Sequence, residues 1–228
     1  MTRAGIYIHI PFCRSRCSYC DFATGAYDGE LAARYVNAVV SEIDAFRETG
    51  TPAAEIETIY LGGGTPSLLT PAQAAQLLEA VKKRFSVTMD AEVTMEMNPG
   101  TVTLATLNDF RRLGINRASF GAQTFDDHEL RRLGRQHTAA DVRRTIADLR
   151  VAGYDNISFD LIAGLPAQTL DAWSRNLDEA LALRPQHLSL YLLEVHEGTP
   201  LAEQIGRGAE PRPDDDLAAL MYELMVEK

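Results

Sequence analysis

The chain has 228 residues, 46% of them hydrophobic and 24% charged, with a formal net charge of −10. That is long enough for one sizeable core or two small ones and has the make-up of a soluble globular protein, while the acidic balance argues against a nucleic-acid-binding surface. Residues 1–6 lack the apolar run of a secretory signal, and no uncharged stretch approaches the ~18 residues needed to cross a bilayer, so the expectation is a cytoplasmic protein, peripheral at a membrane at most, with no transmembrane segment.

Taken in chain order, the first strand-like run is Ile6–Ile10, where Tyr7 and His9 alternate with isoleucines. Pro11 ends it, and the three cysteines of the chain follow within eight residues as Cys13-x3-Cys17-x2-Cys20. Helical patterns over Leu31–Phe46, Ala72–Phe85, Leu104–Leu113, Ala140–Ala152 and Leu170–Leu183 then alternate with strand patterns over Thr58–Gly62, Glu92–Met97, Arg117–Gly121, Ile157–Ile162 and Leu188–Leu193. Thr70-Pro71 opens the second helix with a cap and an N-terminal proline, and Gly114 and Gly153 close the third and fourth. Arg131, Arg132 and Arg135, like Arg143 and Arg144, lie among acids on helical patterns and read as solvated faces. Asp214–Lys228 places Leu217, Leu220, Met221, Leu224 and Met225 on one stripe and stops without a cap, which reads as a chain cut short.

Strands alternating with helices imply right-handed crossovers and a parallel sheet. Each strand has an apolar face and a polar one: Glu92, Thr94, Glu96 and Asn98 against Val93, Met95 and Met97; Ser158 and Asp160 against Ile157, Phe159 and Leu161. One face must meet helices and the other something polar, and a barrel with a polar lumen satisfies both. A closed eight-stranded barrel takes ~250 residues. The expected fold is therefore an α/β, incomplete (β/α)6 TIM-like barrel of parallel strands over residues 1–205, with 206–228 beginning a truncated C-terminal helical segment.

The cysteine cluster lies just beyond the first strand, at the strand end where such barrels build their sites. An odd count packed this closely is a poor disulfide framework and a good metal-ligand set. Three thiolates can hold three irons of a [4Fe–4S] cubane and leave the fourth open to a ligand. Three buried structural thiols, a regulatory disulfide, and a Cys3His zinc site recruiting His9 are the competing readings; the zinc reading would make the chain a non-enzymatic, zinc-stabilised binding module.

The run Tyr7-Ile-His-Ile-Pro-Phe-Cys-Arg-Ser-Arg-Cys-Ser-Tyr-Cys-Asp-Phe22 resembles the signature of radical S-adenosylmethionine (SAM) proteins, within them the oxygen-independent coproporphyrinogen III oxidases and the related HemW haem chaperones. Leu61-Gly-Gly-Gly-Thr-Pro66, Glu96-Met-Asn-Pro-Gly100, Ser119-Phe-Gly-Ala-Gln123, Gly134-Arg-Gln-His137 and Phe159-Asp-Leu-Ile-Ala-Gly-Leu-Pro166 recur in that group in this order. The resemblance implies a [4Fe–4S] cluster on Cys13, Cys17 and Cys20 that cleaves SAM reductively, and SAM contacts at Tyr7, Tyr19, Gly63, Gly64, Thr65, Glu96, Gln123, Arg135 and Asp160. The residue types agree: glycines admit a close ligand, Glu96 and Arg135 suit the charged methionyl end, and Gln123 and Asp160 suit ribose.

Phe22 stands where the porphyrinogen oxidases carry a further cysteine, and the first strand begins without their N-terminal extension, so the resemblance is strongest to the haem-chaperone branch; the haem-linked C-terminal region of that branch is not in this sequence. It implies haem or porphyrin as a further ligand, an electron donor such as a flavodoxin or ferredoxin, and haem-accepting client proteins. His128 and His137 could bind haem or substrate, although lone histidines are more often structural. Decarboxylation of coproporphyrinogen is the alternative activity.

Overall fold

The structure, a computed structural model, describes residues 2–47 and 54–228; residues 1 and 48–53, within the expected 1–205 unit, lie outside the described residues. β1 (Arg3–Ile10) leads into a two-residue parallel ladder between β2 (Phe12–Cys13) and β3 (Gly25–Ala26), then α1 (Gly29–Ala45) and β4 (Glu55–Gly63). A 3-10 turn at Pro66–Leu68, α2 (Pro71–Arg84), β5 (Ser86–Met97), α3 (Leu104–Arg112) and β6 (Arg117–Gln123) follow. The chain continues through α4 (Asp127–Arg132), α5 (Ala139–Val151), β7 (Asn156–Ala163), α6 (Leu170–Ala182), β8 (His187–Leu192), α7 (Pro200–Gly206) and α8 (Asp215–Glu227).

The six long strands form one sheet in the order β1-β4-β5-β6-β7-β8, every neighbouring pair parallel. Because the spatial order follows the chain order, each helix crosses over the same face, and β1 and β8 remain as the two edges of an open half-barrel. The expected (β/α)6 architecture is what the chain adopts.

Local chemistry explains the helix ends. Thr70 and Thr138 head capping boxes with Gln73 and Asp141, and Asp28, Thr103, Thr169 and Asp214 cap α1, α3, α6 and α8 through their side-chain oxygens. Gly114 leaves α3 at φ +98°, a left-handed conformation that lets Ile115 N–H reach back to Phe110 O at 3.2 Å.

Packing divides by face. Ile59, Leu61, Met95, Ala118, Phe120, Ile157, Phe159 and Leu161 point outward and are buried under Leu77, Val81, Leu107, Phe110, Val142, Ile146, Leu149, Trp173 and Leu177 of the helices. The Phe120 and Phe159 rings meet at 4.6 Å across β6 and β7. Each large side chain buried this way contributes about 1.5–3 kcal/mol. The inner face is polar and internally bonded: Asn156 Nδ2 donates to Glu92 Oε2 at 3.1 Å, Arg117 Nη1 to Thr94 Oγ1 at 3.3 Å, and Ser158 Oγ pairs with His187 Nδ1 at 2.9 Å.

Four features escaped the sequence reading, the last of them the packing of α8, whose helical stripe the sequence does show. β5 begins at Ser86, six residues before the alternating pattern, because Ser86 and Val87 find partners in Glu55 and Ile56. α4 and α7 are one to two turns long, too short for a periodicity to register. A buried polar knot at the ends of β6 and β7 joins Glu129 to Thr124 Oγ1 and to Gln168 Nε2, while Asn176 Oδ1 accepts from Thr124. α8 lies against α6, β7 and β8, with Met221 fully buried and its carbonyl accepting from Trp173 Nε1 at 3.0 Å. Among the described residues no helix is long and apolar enough to cross a membrane.

Candidate functional site

The C-terminal strand ends carry the site, and the cysteine loop is stitched over them at three points. Gly25 N–H donates to Pro11 O at 2.7 Å and Tyr27 N–H to Cys13 O at 2.8 Å, which anchors the loop's base. Phe12 fills the space below, edge-on to Tyr27 and Tyr35 at 6.3 and 5.4 Å, and Tyr35 Oη–H donates to His9 O at 2.6 Å. Further along, Ser18 N–H donates to Leu133 O at the end of α4, and Ser18 O accepts from Leu201 N–H in α7, both at 2.9 Å. Cys13, Cys17 and Cys20 are free thiols, each half-buried.

The Gly62–Gly64 turn answers to internal packing. A Cβ on Gly62 would meet the Tyr60 and Tyr7 rings at 2.7 and 2.9 Å, one on Gly63 the His9 ring at 2.5 Å, and one on Gly64 the Phe12 carbonyl oxygen at 2.7 Å. The amides after it are also engaged: Gly63 with Glu96 Oε2 at 2.9 Å, Gly64 with Ile10 O and Thr65 with Phe12 O, both at 2.8 Å. The triglycine therefore brings β4, the aromatic pair and the cysteine loop into contact.

Glu96 stands inside this cradle, accepting from Tyr60 Oη at 2.8 Å and from Gly63 N–H. Burial raises its pKa, opposed by those two hydrogen bonds. Asp160 on β7 is also raised by burial, opposed by the neighbouring Ser189 of β8 and the Arg117 charge. Tyr7 stacks on Tyr60 at 5.8 Å and is 58% exposed, an aromatic surface at the open lumen. Gln123 ends β6 with φ +65°, a left-handed position that turns its amide back over Gly121.

Arg135 ties the lumen to the cysteines. Its Nη2 donates to Asn98 Oδ1 at 2.8 Å and Gly121 O at 2.6 Å, and its Nη1 to Cys17 Sγ at 3.3 Å. Thr65 Oγ1–H reaches Cys13 Sγ at 3.6 Å. Burial would depress the Arg135 pKa, but Tyr19 and Cys17 outweigh it and the side chain stays cationic; burial raises Tyr19 and Cys13. A cavity of about 220 Å³ opens beside Cys17, Thr65, Asn98, Arg135 and His137. Asn98, though part of a quoted motif, was not singled out from sequence; only the convergence of three chain segments reveals it.

The histidines separate. His9 Nε2–H donates to Ala23 O at 3.0 Å, which leaves Nδ1 to accept from Tyr7 Oη at 3.3 Å. Its one lone-pair nitrogen is thus taken by Tyr7, and it does not complete a Cys3His set in this geometry; among the described residues no three His, Cys, Asp or Glu side chains converge on a single ion. His137 is buried, with Nε2 3.4 Å from Ala122 O, and burial followed by the Arg135 charge pushes its pKa down to about 4. His128 is exposed at the start of α4.

Two observations test this site against a cluster and a cofactor that carries a carboxylate. Two of the three thiols already receive hydrogen bonds, the outer-shell support that metal-bound thiolates commonly have. Arg135 Nε is buried with no protein acceptor, so one N–H donor beside the cysteines is left for a ligand oxygen such as that of a carboxylate. The residues present fit both groups.

Comparison with known proteins agrees with the geometry. The family model for the radical SAM superfamily matches residues 7–180. Mouse (Mus musculus) "Radical S-adenosyl methionine domain-containing protein 1, mitochondrial" is 42% identical over 223 residues, covering 97% of this chain and 50% of that protein. The heme chaperone HemW of Escherichia coli (strain K12) is 39% identical over 215 residues, covering 92% of this chain and 55% of its own. The chain thus spans about half the length of these curated relatives. The solved structure of coproporphyrinogen III oxidase (HemN) from Escherichia coli, described as a radical SAM enzyme, superposes with a TM-score of 0.83 at 28% identity over 99% of this chain and 52% of that one. Open parallel half-barrel, three-cysteine loop at its mouth and matching family model agree: the chain belongs to the radical SAM superfamily.

Proposed function

We propose that this chain is the cluster- and SAM-binding core of a HemW-type haem chaperone. Membership of the superfamily implies a [4Fe–4S] cluster and SAM; the cluster supplies the electron for reductive SAM cleavage. In this reading Cys13, Cys17 and Cys20 hold the cluster. Tyr7, Tyr19, Gly63, Gly64, Thr65, Glu96, Gln123, Arg135 and Asp160 surround SAM, with Arg135 Nε directed at its carboxylate and Asp160 and Gln123 at the ribose. Residues 1–205 make the barrel unit and 206–228 begin a C-terminal helical segment. Haem or porphyrin, a flavodoxin- or ferredoxin-type electron donor and haem-accepting clients are the partners, in a reducing cytoplasmic setting, peripheral at a membrane at most.

The observation that carries this reading is the cysteine loop fixed over a polar half-barrel, with separate donors aimed at Cys13 and Cys17. The identity to HemW chaperones, and Phe22 where the resembled oxidases carry a cysteine, favour chaperone over oxidase. Iron and sulfide analysis after anaerobic reconstitution tests the cluster: Cys17→Ser is expected to lose it and keep the fold, and a full iron complement in that variant overturns the ligand assignment. Haem titration of the full-length protein tests the chaperone role. Protoporphyrinogen formed from coproporphyrinogen III would assign the oxidase instead.

A further inference from the structure

Asn98, the residue after β5, bridges the two side chains that donate to the cysteines. Arg135 has no acceptor atom, so the Asn98 atom 2.8 Å from its Nη2 is the carbonyl Oδ1. That fixes the amide's orientation and turns Nδ2 to Thr65 Oγ1, also at 2.8 Å. With a lone pair of its oxygen occupied by the amide N–H, the Thr65 hydroxyl is free to direct its proton to Cys13 Sγ at 3.6 Å. On the other side the same amide holds the guanidinium that donates to Cys17 Sγ at 3.3 Å. Asn98 is itself clamped: its backbone N–H donates to Ser67 Oγ at 3.4 Å and its carbonyl accepts from Thr101 Oγ1 at 2.6 Å.

We propose that Asn98 is a positioning residue that sets the reduction potential of the cluster by orienting one hydrogen bond onto Cys13 and one onto Cys17. The proposal rests on the reading that these cysteines hold the cluster. Hydrogen bonds to cluster sulfurs withdraw charge and favour the reduced state, and linked hydrogen bonds strengthen one another. Asn98 touches no thiol, so its influence passes through Thr65 and Arg135.

The test is a redox titration of the anaerobically reconstituted full chain without SAM, followed by electron paramagnetic resonance and absorbance, beside iron and sulfide counts. Asn98→Ala and Thr65→Val are expected to shift the midpoint potential to more negative values, and Thr65→Ser, which keeps the hydroxyl, to restore it. Asn98→Asp preserves volume but offers only acceptors, so the Thr65 proton turns toward it and away from Cys13; it too shifts negative, and serves if the alanine variant does not fold. The Asn98→Ala/Thr65→Val double variant shifts less than the two single shifts added together, because both remove the same bond to Cys13. Unchanged potentials in variants with full iron, strictly additive shifts, or a Thr65→Ser shift as large as that of Thr65→Val would each overturn the proposal. So would loss of the cluster from both Asn98 variants with the barrel intact, which would assign the residue to cluster assembly. A wild-type chain without a [4Fe–4S] complement instead refutes the cluster reading itself.

Discussion

Replacing Gly64 with alanine isolates the contact on which the cysteine loop depends. The added methyl lies 2.7 Å from Phe12 O and 3.0 Å from both Phe12 C and Phe12 N, where ordinary van der Waals contact begins at 3.4 Å. The obstacle is backbone, so no rotamer change relieves it, and the two segments must separate by roughly 0.7 Å, the difference between those distances. That movement strains the bonds from Gly64 N–H to Ile10 O and from Thr65 N–H to Phe12 O, both 2.8 Å. Overpacking of this kind costs about 1–3 kcal/mol, and each of the two weakened hydrogen bonds up to about 1 kcal/mol more, giving a destabilisation of about 1–5 kcal/mol. Cys13 is the next residue after Phe12, so the displacement reaches the first thiol directly. Gly153→Ala is the control: Gly153 has φ +84° but nothing within 4 Å of its Cβ position, so it carries only left-handed strain, about 1–2 kcal/mol. Urea unfolding, with iron and sulfide analysis after anaerobic reconstitution, should show both variants destabilised but only Gly64→Ala depleted of iron. Full iron in Gly64→Ala, or equal loss in Gly153→Ala, would refute the steric argument.

Asp160→Ala should weaken SAM binding about tenfold or more, as expected for loss of a hydrogen bond to a buried charged group, while iron content stays near wild type; calorimetry showing unchanged SAM affinity would remove Asp160 from the pocket. His137 gives a pH signature. Its pKa is pushed down to about 4 in the folded protein against 6.5 ordinarily, so between those values the unfolded chain binds more protons and acid erodes stability. That contribution is fully present above pH 6.5, falls by about 3 kcal/mol toward pH 4 and is constant below. His137→Asn should therefore lose less stability than wild type between pH 7 and pH 4.5 in urea midpoints; parallel curves for the two proteins would show that His137 titrates normally.

The sequence by itself determined the architecture, because the information is local. Strand alternation and helix period assign faces without knowledge of partners, and Thr70-Pro71, Gly114 and Gly153 mark helix ends through their own backbone preferences. The spacing of Cys13, Cys17 and Cys20 likewise places three thiols on one loop whatever surrounds it. What only the tertiary structure decided are contacts between residues far apart in the chain. Arg135 lies on a pattern that reads as a solvated helix face, yet the fold brings its guanidinium to Cys17, 118 positions away, and to Asn98, 37 away. The Gly62–Gly64 turn reads as room for a ligand, and the structure adds that the Cβ side of these glycines is turned toward Tyr7, Tyr60, His9 and Phe12. His9 serves as a fourth ligand in the competing zinc reading until its tautomer is fixed by Ala23 O and Tyr7. Periodicity records which face of an element is buried; which group meets which across that face is set by the crossovers that stack one strand end beside the next.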